Sequence, residues 1–144
     1  AGHHCAQPIL RRFGVEATGG GQHPGRGTHN KLLALGPRTY LELIAPDPSQ
    51  PEPPAPRPYG VEGITHGGLV GWAVAVEDID AARLHARSHG FDPGPVVDGQ
   101  REDATGSLMR WRATANAEVA GLMPFLLCWG DTRHPLPRRQ SASA

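Results

Sequence analysis

Seven prolines fall between Pro46 and Pro58, in the segment PDPSQPEPPAPRP. Each proline fixes φ and removes a backbone donor, so the segment can be neither a helix nor a central strand. It reads as an extended linker. The chain of 144 residues is thereby cut into a shorter first half and a longer second half. A hydrophobic content of 38% supplies a core, but not a generous one. One domain built from two small halves is the expected organisation.

The first half carries a glycine-rich stretch, ATGGGQHPGRG, at 17–27. It lacks the Gly-Lys-Ser/Thr ending of a phosphate loop, and no strand–turn–helix unit surrounds it as a dinucleotide fingerprint requires. A flexible lid or turn is the expectation. Residues 29–35 and 39–45 then read as a hairpin turning at Gly36-Pro37. The second of these strands places Glu42 between Leu41 and Leu43. A carboxylate inside an apolar strand is costly to bury, so it usually faces a cleft, a metal or a hydrogen-bonding partner. Upstream, residues 1–7 read as a short strand and Pro8 opens about one helical turn that Gly14 ends.

The second half reads strand (69–76), helix (79–87), weak strand (94–98), strand (107–113) and strand (124–129). Ile79, Ala82, Leu84 and Ala86 form the helix's apolar stripe. Along 107–113, Met109, Trp111 and Ala113 share one face, with Leu108, Arg110 and Arg112 on the other. If its opening helix is very short, the first half repeats this order, and the inner faces of two such sheets would wall a cleft.

Composition excludes some classes of function. The formal net charge is zero, so no long-range field favours nucleic acid or an anionic membrane. No apolar run approaches the roughly 20 residues of a membrane helix. The start of the chain lacks the charged-then-apolar pattern of a signal peptide. Cys5 and Cys128 are the two cysteines, too few for a disulfide framework. A cytoplasmic protein is expected.

The residues GGQHPGRGTHN followed by YLELIAPDP resemble the bacterial glyoxalase-like branch of the vicinal oxygen chelate superfamily. LVGWAVAVEDIDAA, SLMRWRA and PFLLCWGDTRHP continue the resemblance, which covers residues 14–135. It implies an α+β fold of two βαβββ-like modules forming a curved mixed sheet around a cleft, the first with a shortened N-terminal strand and helix. Module one would span 1–46, the Pro-rich linker 47–66 and module two 67–135, leaving 136–144 as a tail. Members include metal-dependent isomerases, dioxygenases and drug-binding resistance proteins, often dimeric, so the fold does not fix the function.

Metal-using members take ligands from the first and last strands of each module. That places Glu42, and His3 or His4, as candidate ligands for one divalent cation (Zn, Ni, Mn or Fe). The second module departs from the pattern, because Leu126 and Cys128 stand where an acid is usual and no ligand-type side chain lies near Gly71 and Trp72. Glu42 is thus either a metal ligand or general base, or a strand residue paired with Arg110 or Arg112. Asn30 is a candidate ligand-binding residue, with His29 beside it expected at the surface. Trp72 and Trp111 are candidate pocket walls for a planar ligand, as an alternative to core packing. His66, the last residue of the linker, is a further binding candidate. Cys128 reads as a buried core thiol and His134 as part of a structural turn. The expectation is a small-molecule lyase or isomerase using Glu42; the alternatives are a metal-free binding protein, or a dimeric structural or regulatory module.

Overall fold

The computed structural model describes residue 14 and residues 17–103, 105–115 and 121–132. The strand and short helix expected within 1–13, Cys5 and His134 lie outside these residues. Among the described residues the chain is mixed α+β, with one sheet of three strands and one of four. It divides into two compact units. None of the described helices is long and apolar enough to cross a membrane.

The first unit takes residues 1–67, 101–107 and 134–144. Its sheet is an antiparallel meander of β1 (Thr18–His23), β2 (Thr28–Gly36) and β3 (Thr39–Pro46). The hairpin of β2 and β3 is the one its alternating apolar residues predict. β1 corrects the expectation of a flexible lid at 17–27. Glycine's low strand propensity argued against a strand there, but close approach requires glycine. A Cβ on Gly20, where φ is +86°, would collide with the Asn30 carbonyl. The edge strand therefore depends on the missing side chains at Gly20 and Gly21.

The proline segment is neither helix nor strand up to Pro58, turning at 48–49 and bending at 50 and 54–55, and it is fastened to this sheet. The Asp47 carboxylate accepts from Gln22 Nε2 on β1 at 2.9 Å and from Gln50 Nε2 at 2.8 Å. It also accepts from the Ser49 amide and hydroxyl, an Asx-type turn. These bonds hold its pKa well below the ordinary aspartate range. Arg57 Nε donates to the Gly27 carbonyl at 2.9 Å, and its other nitrogens hold Glu52. The segment ends in a 3-10 turn, Pro58–Gly63, where Tyr59 adopts φ 61°. A bulky residue in the left-handed region costs on the order of 1–3 kcal/mol, so surrounding contacts must hold it there.

The second unit takes 68–100 and 108–133. Its elements run β4 (Ala73–Ala75), α1 (Ile79–Ser88), β5 (Val96–Glu102), β6 (Leu108–Thr114) and β7 (Phe125–Cys128), in the sheet order β4-β7-β6-β5. Residues 101 and 102, at the end of β5, group with the first unit. β4 lies parallel to β7, and β7 runs antiparallel to β6. Asp78 caps α1 by accepting from the Asp80 and Ala81 amides at 3.0 and 2.9 Å. Gly90, at φ +83°, closes the helix. Ile79, Leu126 and Cys128 form the core, with Val76, Ala82 and Val96 against it. Leu84 does not join that stripe: it is 71% exposed, because a 3.6-residue period selects 79, 82, 83 and 86. The two faces of β6 alternate as its sequence predicts, with Met109 buried and Leu108, Arg110 and Arg112 exposed.

Candidate functional site

Period-2 alternation and register decide which side chains of the meander meet. Leu32 pairs with Glu42, Asn30 with Ile44, Ala34 with Tyr40 and Thr28 with His23. His23, Thr28, Asn30, Leu32, Tyr40, Glu42 and Ile44 therefore share one face. His29 falls on the other face, opposite Ala45.

Glu42 is held on that face by its diagonal neighbour. Asn30 Nδ2 donates to Glu42 Oε1 at 2.6 Å, and Asn30 Oδ1 accepts from the Gly21 amide at 2.9 Å. Both ends of the Asn30 amide are thus committed, and the carboxylate has one fixed oxygen. The Glu42 side chain is 34% exposed. Burial nevertheless raises its pKa, and the Asn30 bond and the Arg101 charge oppose the rise without cancelling it.

Three aromatic side chains share this environment. His23 Nε2 lies 3.9 Å from Glu42 Oε1. Burial first, then the charges of Arg101 and Arg26, push its pKa down to about 4. Its imidazole is therefore neutral near pH 7, and the contact is no salt bridge. His23 Nδ1 and Thr28 Oγ1 are hydrogen-bonded at 2.9 Å. The Tyr40 phenol is held far above its ordinary range by burial and the Glu42 charge. Tyr59 is pushed up to about 12 by the same two causes. Both phenols stay protonated at neutral pH and can donate.

Arg101 completes the group. A Cβ on Gly21 would point to the face of Asn30 and Glu42, and it would stand 3.4 Å from Arg101 Nη1. The guanidinium therefore lies over that face. Nη1 donates to the Gly20 and Glu102 carbonyls at 3.3 and 3.1 Å.

Sequence reasoning brought Glu42 and Asn30 together only as neighbours in a motif, and it passed over His23, Tyr40, Tyr59 and Arg101. Tyr40 was within reach, since it stands two residues before Glu42 on the same strand. Arg101 was not, because its hydrogen bond to Gly20 spans 81 residues. The expected alternative partners of Glu42 are engaged elsewhere or exposed. Arg112 pairs with Asp80 at 2.7 Å, and Arg110 is exposed on β6.

Of the other candidates, Trp72, Trp111 and Cys128 belong to the second unit. His66 is exposed and bonded to the adjacent Thr65 hydroxyl. Trp72 is 47% exposed, with its N–H 3.4 Å from the Leu122 carbonyl. Trp111 covers Gly99, where a Cβ would collide with the indole, and packs against Trp129 at a centroid distance of 5.6 Å. The Cys128 thiol is buried and donates to the Glu77 carbonyl, as a core thiol would.

A resident divalent cation can be tested against the donors present. Glu42 and the neutral His23 supply two, whereas a catalytic zinc takes three protein ligands. Among the described residues no three of His, Cys, Asp and Glu gather to hold a metal. His4, the expected further ligand, lies outside the described residues. The described donor set therefore does not by itself fit such an ion.

Around the Glu42 carboxylate lie a neutral imidazole, two protonated phenols and a guanidinium. A family model for the glyoxalase-like domain matches residues 4–144. The chain belongs to the glyoxalase-like domain family, within the vicinal oxygen chelate superfamily. No curated protein and no solved structure matches it.

Proposed function

We propose that the protein is a small-molecule lyase or isomerase of the glyoxalase type, in which Glu42 moves a proton beside a carbonyl. The observation that carries this reading is the fixed, half-buried carboxylate whose proton affinity is raised. A carboxylate with a raised pKa is a stronger base than an exposed one. Asn30 occupies Oε1, which leaves Oε2 for substrate. The proton passes from carbon to Oε2, and the electron pair moves onto the carbonyl oxygen as an enolate. Tyr40 and Tyr59 donate to that oxygen. Where the deprotonated carbon carries a hydroxyl, that hydroxyl's proton passes to the enolate oxygen, its oxygen becomes the new carbonyl, and Glu42 returns its proton to the old carbonyl carbon; where a β-substituent is present, the enolate collapses to a double bond and the substituent departs with its electron pair.

In this reading the two units are the two βαβββ-like modules of one domain. Two copies associate; the three β4 residues at the edge of their sheet are exposed and uncharged, which supports a self-pairing surface. The free thiol of Cys128 suits a reducing compartment, and the cytoplasm is the proposed location.

The test is deuterium exchange at carbon. A set of small ketones, aldehydes and hydroxy acids in D2O is incubated with full-length protein and followed by proton NMR. The reading expects one chemical class to lose its α-proton signal with wild type and not with Glu42→Gln. Metal analysis of the same samples asks whether Glu42 also holds an ion. A second reading, metal-free binding of an aromatic ligand, is favoured by the half-exposed Trp72. Saturable tryptophan quenching with no Glu42-dependent exchange would establish it instead.

A further inference from the structure

Arg101 is only 4% exposed. Taking a guanidinium out of water is costly unless an anion compensates it. Among the described residues it forms no ion pair with a carboxylate, and its recorded hydrogen bonds run from Nη1 to two backbone carbonyls. Those bonds fix the plane of the group and leave its Nε–Nη2 edge without a described partner. That edge is the one that grips a carboxylate with two parallel N–H···O bonds. The guanidinium lies over the face that carries Glu42, beside a backbone stripped of side chains at Gly20 and Gly21.

We propose that the substrate is a small organic acid, whose carboxylate is bound by the Nε–Nη2 edge of Arg101 while the carbon next to it faces Glu42. The inference rests on the reading of that face as the substrate site. It adds the substrate class and a binding residue. A carboxylate suits this cation better than a phosphate dianion, because one planar fork matches one planar pair of oxygens and neutralises one charge. The guanidinium also lies against the carboxylate oxygens that take up the electron pair when the adjacent carbon loses its proton, so it favours the enediolate over the starting carboxylate.

The experiment compares acids with their amides. Lactate, pyruvate and mandelate, each against its primary amide, are titrated into full-length protein while the Arg101 Nε–H resonance is followed by NMR. At least one acid is expected to saturate, shift that resonance, and bind on the order of tenfold or more tighter than its amide. Arg101→Lys keeps the charge and loses the fork, so the preference should fall to about threefold or less. Circular dichroism checks that this variant folds; if it does not, the acid–amide comparison on wild type decides alone. Equal affinity for acids and amides, or acid binding that leaves the Arg101 resonance unmoved, overturns the inference. If Glu42-dependent exchange persists under that result, the proton-transfer reading survives it. Tight, Arg101-centred acid binding without Glu42-dependent exchange supports the carboxylate site and overturns the chemistry instead.

Discussion

Asn30 Nδ2 donates to Glu42 Oε1 across two antiparallel strands, at 2.6 Å, while the other end of the same amide holds the Gly21 backbone. One side chain thus ties the Glu42 carboxylate to the glycine edge strand. The cross-strand register makes this possible, because Asn30 and Glu42 are diagonal neighbours rather than a direct pair.

Replacing Asn30 with Ala removes both bonds. The bond to Glu42 holds that carboxyl's pKa down, so its loss should raise it further. Stability should fall by about 1–2 kcal/mol, the usual cost of two lost hydrogen bonds partly screened by solvent. Urea denaturation gives the second quantity and carboxyl NMR the first. Asn30→Asp should raise the Glu42 pKa more than Asn30→Ala does, because two adjacent carboxylates resist holding two charges.

Stability should fall in mild acid through His23. Its folded pKa of about 4 lies below the ordinary imidazole value of 6.5, so the unfolded chain binds the proton more readily. The stabilisation is fully present above pH 6.5 and is lost as pH falls toward 4, amounting to roughly 3 kcal/mol. Glu42 acts in the opposite sense: its raised pKa is a cost that protonation relieves as pH falls. Denaturation curves across this range should show a shallower slope for His23→Asn than for wild type. Equal slopes would mean that the imidazole is not buried neutral.

How much of this was legible in the sequence differs between the two units. α1 and the β6 and β7 strands follow alternation, caps and glycine stops that any reader can count, whereas the weak strand expected at 94–98 lies at Val96–Glu102. The β2–β3 hairpin does too. β1 was hidden because glycine carries no pattern, and its reason for being glycine is the Asn30 backbone packed against it. The site was half legible. Glu42 stood out as a charge in an apolar strand, and Asn30 lay in a motif. Arg101 and Tyr59 reach the same face from distant segments, and no local period reports a long-range contact.

The packing of Trp111 on Gly99 gives a prediction independent of the site. An aromatic ring laid over a strand glycine makes up for the missing side chain. Gly99→Ala places a methyl inside the indole's volume, and the ring must move. A loss of about 1–3 kcal/mol is expected, as for other overpacked positions. The near-ultraviolet dichroism of the Trp111–Trp129 pair should change with it. An unchanged spectrum and stability would show that the indole does not cover the glycine.

The most direct measurement is the titration of the Glu42 carboxyl carbon by NMR in the full chain, with Glu42→Gln to assign the signal. A folded-state pKa above the ordinary glutamate value of 4.5 is expected, moving further up in Asn30→Ala. A value at or below 4.5, unmoved by that substitution, would describe an ordinary solvated surface carboxylate and contradict its role as the base.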